Sequence, residues 1–187
     1  VSVALVRRGA TVVIVNRTAA NADPVVDLVR SALGESTPVS TGSTTDINAA
    51  TVLVNTTSVG MNSDESPVDH GVLHGGLVVL DAVYSPLDTA LLRAARAAGS
   101  TTVDGLWMLI HQARHQQRLW FGRAADAGLM RVAGICAPGN GVRVPAVRGS
   151  NNSAALPSNS FEKSPERMAA VGTEPTGLVP LRAMVCE

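Results

Sequence analysis

Four short polar clusters in this sequence each follow an apolar run, the arrangement in which a strand end presents ligand-binding groups. The first is Asn16-Arg17-Thr18, after Thr11 to Val15 (TVVIV). At the end of the second strand of a doubly wound sheet, the next residue meets the adenosine ribose of a dinucleotide, and a carboxylate there accepts the 2′-hydroxyl of NAD. Here an amide, a guanidinium and a hydroxyl stand instead. They suit a 2′-phosphate, so the cluster favours NADP, although a polar turn after a strand has the same composition.

The second cluster, Asn55-Thr56-Thr57-Ser58-Val59-Gly60-Met61, offers three hydroxyls and a glycine just past the run Thr51 to Asn55. Such a loop lets backbone approach a ligand closely, and an ordinary turn would look similar. The third is Asp81-Ala82-Val83-Tyr84-Ser85-Pro86-Leu87-Asp88-Thr89, with the only tyrosine of the chain. The fourth is Asp104-Gly105-Leu106-Trp107-Met108-Leu109-Ile110-His111-Gln112, where Gln112 interrupts an apolar helix start and could reach into a cleft. For these last two, a polar tip at a helix end is the plainer reading.

The elements that must position these clusters alternate along the chain. Val1 to Arg8 reads as the last turns of a helix stopped at Gly9. Thr11 to Val15 is a β-branched strand buried on both faces. Asp23 as N-cap and Pro24 at the first helical position start a helix that runs to about Leu33 and stops at Gly34. A short strand is expected over Thr37 to Ser40, and a helical turn capped by Thr45 or Asp46 over Thr45 to Ala50. Thr51 to Asn55 and part of Gly76 to Tyr84 read as further buried strands. Ser85-Pro86 is expected to cap a helix through Ala98, with Leu87, Leu91, Leu92 and Ala95 on one face. Thr101 to Val103 is a brief last strand before a helix from about Leu106 to Phe121. Strands and helices alternating at this spacing give a parallel sheet covered on both sides. The expected fold is therefore α/β: an incomplete doubly wound (Rossmann-like) parallel sheet with flanking helices, plus a disordered C-terminal tail.

Composition separates residues 1–133 from 134–187. The later stretch holds six of the ten prolines, a Gly139-Asn140-Gly141 run and a Ser/Asn-rich segment. It lacks apolar periodicity, so its burial would not offset chain entropy, and disorder is expected.

Several functions are excluded by the totals. A chain of 187 residues with 45% hydrophobic content can bury a core, but its net charge of zero and 3% aromatics give no electrostatic or stacking grip on nucleic acid. No apolar run approaches the roughly 20 residues of a membrane helix, and Val1 to Ala10 is too short for a signal peptide. Cys136 and Cys186 form no CxxC pair, which fits a soluble protein of the reducing cytoplasm. His111 and His115 are four apart on a helix, but Gln112 stands where a HExxH motif has Glu and no third ligand is evident; no metal site is expected. No GxSxG or P-loop pattern occurs.

The four motifs NRT, NTTSVGM, DAVYSPLDT and DGLWMLIHQ, in this order over about residues 1–131, resemble the NADP domain and terminal segment of the shikimate dehydrogenase family. The resemblance implies that Asn16, Arg17 and Thr18 hold the adenosine 2′-phosphate. It implies that Thr56, Thr57, Ser58 and Val59 line the path to the nicotinamide, with Ala82, Val83, Gly105 and Met108 at its far end. Tyr84 would face the substrate carboxylate and Gln112 the substrate hydroxyls. The implied reaction is NADPH-dependent reduction of 3-dehydroshikimate to shikimate in aromatic amino-acid (chorismate) biosynthesis, by hydride transfer and protonation of the alkoxide.

Against that pattern, the Gly-rich phosphate loop and first strand belong before Val1, as does the substrate domain with the family's catalytic Lys and Asp. Lys163, the only lysine, lies in the irregular stretch and is no substitute. The expectation is a fragment with no catalytic residue of its own, inactive alone, whose sheet exposes unpaired strand edges where the first strand is lost. Its later residues could be a frameshifted reading. A small-molecule substrate, shikimate or 3-dehydroshikimate, is the expected partner once an N-terminal domain completes the site; neither nucleic acid nor membrane is. A quinate/shikimate paralogue, or a non-enzymatic nucleotide-binding remnant or subunit, is the alternative.

Overall fold

The computed structural model describes residues 1–135 and 181–186, all within one compact unit. Helix α1 (Ser2–Val6) leads through Gly9, at φ +84°, into β1 (Thr11–Val15). Then follow α2 (Ala22–Leu33), β2 (Val39–Thr41), β3 (Val52–Asn55), β4 (Val78–Asp81), α3 (Ala90–Ala97), β5 (Thr101–Val103), α4 (Gly105–Phe121), α5 (Ala127–Ile135) and β6 (Arg182–Cys186). Short 3-10 turns at Ala19–Asn21, Thr44–Ala49 and His70–Val72 fill the connections.

All pairings are parallel, and the strand order is β2-β1-β6-β3-β4-β5. Counting β6 first turns this into the 3-2-1-4-5-6 order of a doubly wound dinucleotide domain. The last described strand thus fills the central slot. Every residue of β6 from Ala183 on has a partner on at least one side, with Ala183 opposite Val12 and Val52, and Cys186 opposite Val15 and Asn55.

The pleat sends alternate side chains to opposite faces, and β6 serves both. Met184 and Cys186 join Val13, Leu53, Val79 and the α3 residues Leu91 and Leu92 in one core layer. Ala183 and Val185 join Val12, Ile14, Val54 and the α2 residues Val26 and Val29 in the other. From Ala183 to Cys186 no residue exceeds 4% exposure.

Several sequence expectations are corrected here. The neighbours of the central slot are not unpaired, because β6 occupies it. Of the stretch 134–187 expected to be disordered, Gly134 and Ile135 close α5 and Arg182–Cys186 form β6; residues 136–180 lie outside the described residues. Helix α2 starts at Ala22, so Asp23 is a first-turn residue and not the N-cap. Pro24 is tolerated in that turn because its missing N–H would have no intrahelical acceptor. The 3-10 turn at Thr44–Ala49 is preceded by Ser43, whose N–H donates to Asp46 at 3.0 Å. Helix α3 is capped by Thr89, not by Ser85-Pro86, whose peptide bond is cis.

Candidate functional site

In a parallel sheet the carboxyl ends of all strands lie along one edge, and the register aligns Val15, Cys186, Asn55 and Asp81 there. The loops that follow β1, β3, β4 and β5 carry the four polar clusters, so the fold collects them at this edge. In open α/β sheets that edge is where ligands bind.

The centre of the edge is held by buried polar groups. Asp81 is fully buried, and its carboxylate accepts the Asn55 amide at 2.9 Å, the Val83 N–H at 3.1 Å and the Thr89 hydroxyl at 2.7 Å. Asn55, equally buried, accepts the Thr57 N–H at 3.0 Å and its hydroxyl at 2.7 Å, and donates to the Val59 carbonyl at 3.3 Å. The Thr57 hydroxyl in turn accepts the Val59 N–H at 3.1 Å. Thr89 closes the network by capping α3 through the Leu92 N–H at 3.3 Å. Side chains thus supply the acceptors that these buried N–H and O–H groups require. One bonded unit therefore shapes both the Thr56–Gly60 loop and the Ala82–Tyr84 loop.

Beside this network, β6 contributes the carbonyl of Cys186, which accepts the Thr56 N–H at 2.9 Å and the Thr56 hydroxyl at 2.6 Å. Burial, and after it the nearby Asp81 carboxylate, pushes the Cys186 thiol from its ordinary 9.0 to about 11. It is a neutral filler at neutral pH and no nucleophile.

Helix α4 reaches the same place by close backbone contact. A Cβ on Gly105 would lie 2.4 Å from the Ala82 carbonyl oxygen and 2.5 Å from that of Val83. Glycine at this position thus lets the helix start sit directly on the β4 loop. Asp104 caps the helix through the Leu106 N–H at 3.2 Å. Val83 and Gly105 are buried, and Ala82 and Met108 are half-buried.

At β1 the arrangement is looser. The Asn16 side chain accepts the Thr18 N–H at 2.9 Å, and Arg17 and Thr18 are exposed. Arg17 has no ion-pair partner among the described residues. Beside this loop a hollow of about 420 Å³ is lined by Ala19, Ala20, Ala22, Asp23, Thr41 and Gly42.

The structure thus puts Thr56, Thr57, Ser58, Val59, Ala82 and Val83 on the two loops that one polar network shapes, sets Gly105 against the second loop with Met108 one turn further along α4, and puts Asn16, Arg17 and Thr18 at the same edge beyond β6. Tyr84 and Gln112 are exposed, and their side chains hydrogen-bond nothing among the described residues. Asn55, Asp81 and Thr89, which sequence reasoning placed in the clusters without giving them a role, are the members that hold the network together. An acidic residue closing an apolar strand was the available signal. Among the described residues no helix is long and apolar enough to cross a membrane, and no group of three metal-ligating side chains occurs.

The fold and this edge define the class: a doubly wound α/β domain of the dinucleotide-binding type. Residues 105–133, which span α4 and most of α5, match the family described as Shikimate 5'-dehydrogenase C-terminal domain. Over 135 residues the chain is 47% identical to the shikimate dehydrogenase (NADP(+)) of Natronomonas pharaonis, covering 70% of this chain and 48% of that one. The same-named protein of Halorubrum lacusprofundi is 46% identical over 137 residues, again with 70% of this chain and 47% of the relative covered. Among solved structures, quinate dehydrogenase from Corynebacterium glutamicum in complex with NAD superposes with TM-score 0.64 at 34% identity, over 70% of this chain and 48% of that one. Shikimate 5-dehydrogenase from Thermus thermophilus, in complex with NADP(H) and shikimate, gives TM-score 0.63 at 30% identity, with the same coverage. The chain is similar to the C-terminal half of shikimate dehydrogenases, and it spans about half the length of the curated relatives it matches.

Proposed function

We propose that this chain is the NADP(H)-binding half of a shikimate dehydrogenase, serving the reduction of 3-dehydroshikimate to shikimate. The observation that carries the reading is Arg17: an exposed guanidinium, unpaired among the described residues, directly after the β1 end and beside Asn16 and Thr18. It meets a 2′-phosphate without first giving up another partner, and no carboxylate stands in the Asn16-Arg17-Thr18 turn to favour the 2′-hydroxyl of NAD.

In this reading the adenosine lies at the β1 loop, beside the hollow lined by Ala19 and Gly42. The dinucleotide crosses Thr56, Thr57, Ser58 and Val59, and its nicotinamide meets Ala82, Val83, Gly105 and Met108. The bound cofactor supplies the hydride. The Asn55–Asp81 network fixes the loop backbones before binding, so little ordering entropy is left for the complex to lose. Tyr84 and Gln112, exposed in this chain, are the substrate-side groups, for its carboxylate and hydroxyls respectively. The proton transfer that accompanies hydride transfer is assigned to residues beyond this half, and no catalytic residue is assigned among Val1–Glu187. The chain works in solution, in the cytoplasm.

A direct test titrates the purified chain with NADPH and with NADH, following ligand fluorescence, and then adds shikimate and NADP(+). The expected result is tighter binding of NADPH and no shikimate-dependent reduction of NADP(+) by the chain alone. Equal or tighter binding of NADH would overturn the phosphate assignment. Shikimate-dependent turnover would place the proton-transferring group within this chain. The quinate reading is favoured by the NAD-bound quinate dehydrogenase being as similar in fold as the shikimate enzyme; NADH preference would select it.

A further inference from the structure

Helix α5 is fastened to the first turn of α4 at three points. Arg131 donates through Nη1 to Asp104 Oδ1 at 2.9 Å and through Nη2 to Oδ2 at 2.6 Å. Its guanidinium carbon lies 4.6 Å from the centre of the Trp107 ring, which itself stacks on His111. At Gly134, an added Cβ would come within 2.9 Å of the Leu106 side chain, so α5 packs hard against α4 there. The Asp104 carboxylate that receives Arg131 is the same one that caps α4 through the Leu106 N–H.

This pair differs from the other ion pairs among the described residues. Its two side chains are 21% and 18% exposed, whereas those joining Arg93 to Asp64 and Arg96 to Asp88 are all 45% exposed or more. A sheltered, two-bond Arg–carboxylate pair fixes direction as well as distance, which a solvated pair does not. Helix α4 needs such an anchor. Only Gly105, Leu106 and Ile110 are buried, and Leu119, Trp120 and Phe121 at its far end are each 70% exposed. Its position is set by the first turn, gripped between the Ala82 and Val83 carbonyls on one side and α5 on the other.

We infer that Arg131 is a positioning residue for the nicotinamide end of the site. Through Asp104 and Trp107 it sets where Gly105 and Met108 stand over the β4 loop, without touching the ligand itself. The inference rests on the NADP(H) reading above. It separates two ends of one ligand: the adenosine end, at β1, is independent of α5, while the nicotinamide end is not.

The experiment compares NADPH with 2′-phospho-ADP-ribose, which keeps the phosphorylated adenosine and lacks the nicotinamide, on the full chain and on Arg131→Leu and Arg131→Lys. Arg131→Leu is expected to weaken NADPH binding about tenfold while leaving 2′-phospho-ADP-ribose within about twofold of wild type. Arg131→Lys keeps the charge but loses the two-bond grip, and falls between. In a Trp120→Phe background, which leaves Trp107 as the sole tryptophan, Arg131→Leu also shifts the tryptophan emission. If the leucine variant does not fold, the lysine variant carries the same comparison. Equal losses for both ligands, or no loss for either, overturn the inference while the cofactor reading stands. A wild-type chain that binds neither ligand overturns both.

Discussion

At the end of β1, the half-buried Asn16 accepts the Thr18 N–H, and Arg17 and Thr18 lie at the surface. Further along the same edge, across β6, Asn55 and Asp81 are fully buried and knit two loops and a helix start together. The first region, at Arg17, has unspent donors and little structural role. The second has spent its side-chain polar groups on the protein. A binding group and a positioning group can therefore be told apart by whether their hydrogen-bonding capacity is already used. The two regions should answer oppositely to substitution: loss of the buried network costs stability, and loss of Arg17 costs ligand only.

The largest effect is expected from β6, which lies between the two regions and joins them. Val185→Pro places a residue without an N–H in a central strand, and should destabilise by more than about 3 kcal/mol, enough to abolish cooperative thermal unfolding. A variant melting like wild type would show that β6 is dispensable to the sheet.

Asp81→Ala comes next. It leaves the Asn55 amide, the Val83 N–H and the Thr89 hydroxyl without their buried acceptor, at about 3 kcal/mol. Chemical denaturation should show a lowered midpoint; an unchanged one would mean that the network relaxes onto water.

A smaller effect concerns pH. The Cys186 thiol is raised from 9.0 to about 11 in the folded chain. The folded state therefore holds its proton where the unfolded state has lost it, so stability is intact below pH 9 and declines as pH climbs toward 11. Cys186→Ala should remove that part of the alkaline slope, measured as the melting temperature across this same interval. A slope identical in wild type and variant would place its origin elsewhere.

The smallest structural effect belongs to Arg17→Ala, which should change stability by less than about 0.5 kcal/mol. Its consequence is expected in the ligand instead: preference for NADPH over NADH should fall by roughly tenfold, the scale of one lost charge-assisted contact. A melting temperature that drops while preference holds would invert the comparison between the two regions.

Most of the elements, and the place of all four polar clusters after strand ends, are legible in the amino-acid order, because their signals are local. A β-branched run such as Thr11 to Val15 states its own strand, and the polar residues next in sequence fall at its carboxyl end by covalent continuity. Gly9 and Gly34, both at positive φ, mark helix ends for the same reason. Helix starts are less legible, since Asp23 and Ser85 look as good as Asn21 and Thr89, and only packing chooses between them. Three features come from the folded chain and from nothing local. Arg182–Cys186 sits in the central slot, where pairing with β1 and β3 supplies the hydrogen bonds and apolar contacts that five residues in a Pro-rich context could not announce. Asp81, which reads as a strand-end carboxylate, becomes a buried acceptor for three donors, and Gly105 becomes obligatory because it is pressed onto two carbonyls. All three outcomes depend on groups distant in sequence meeting without water, and no local pattern encodes that meeting.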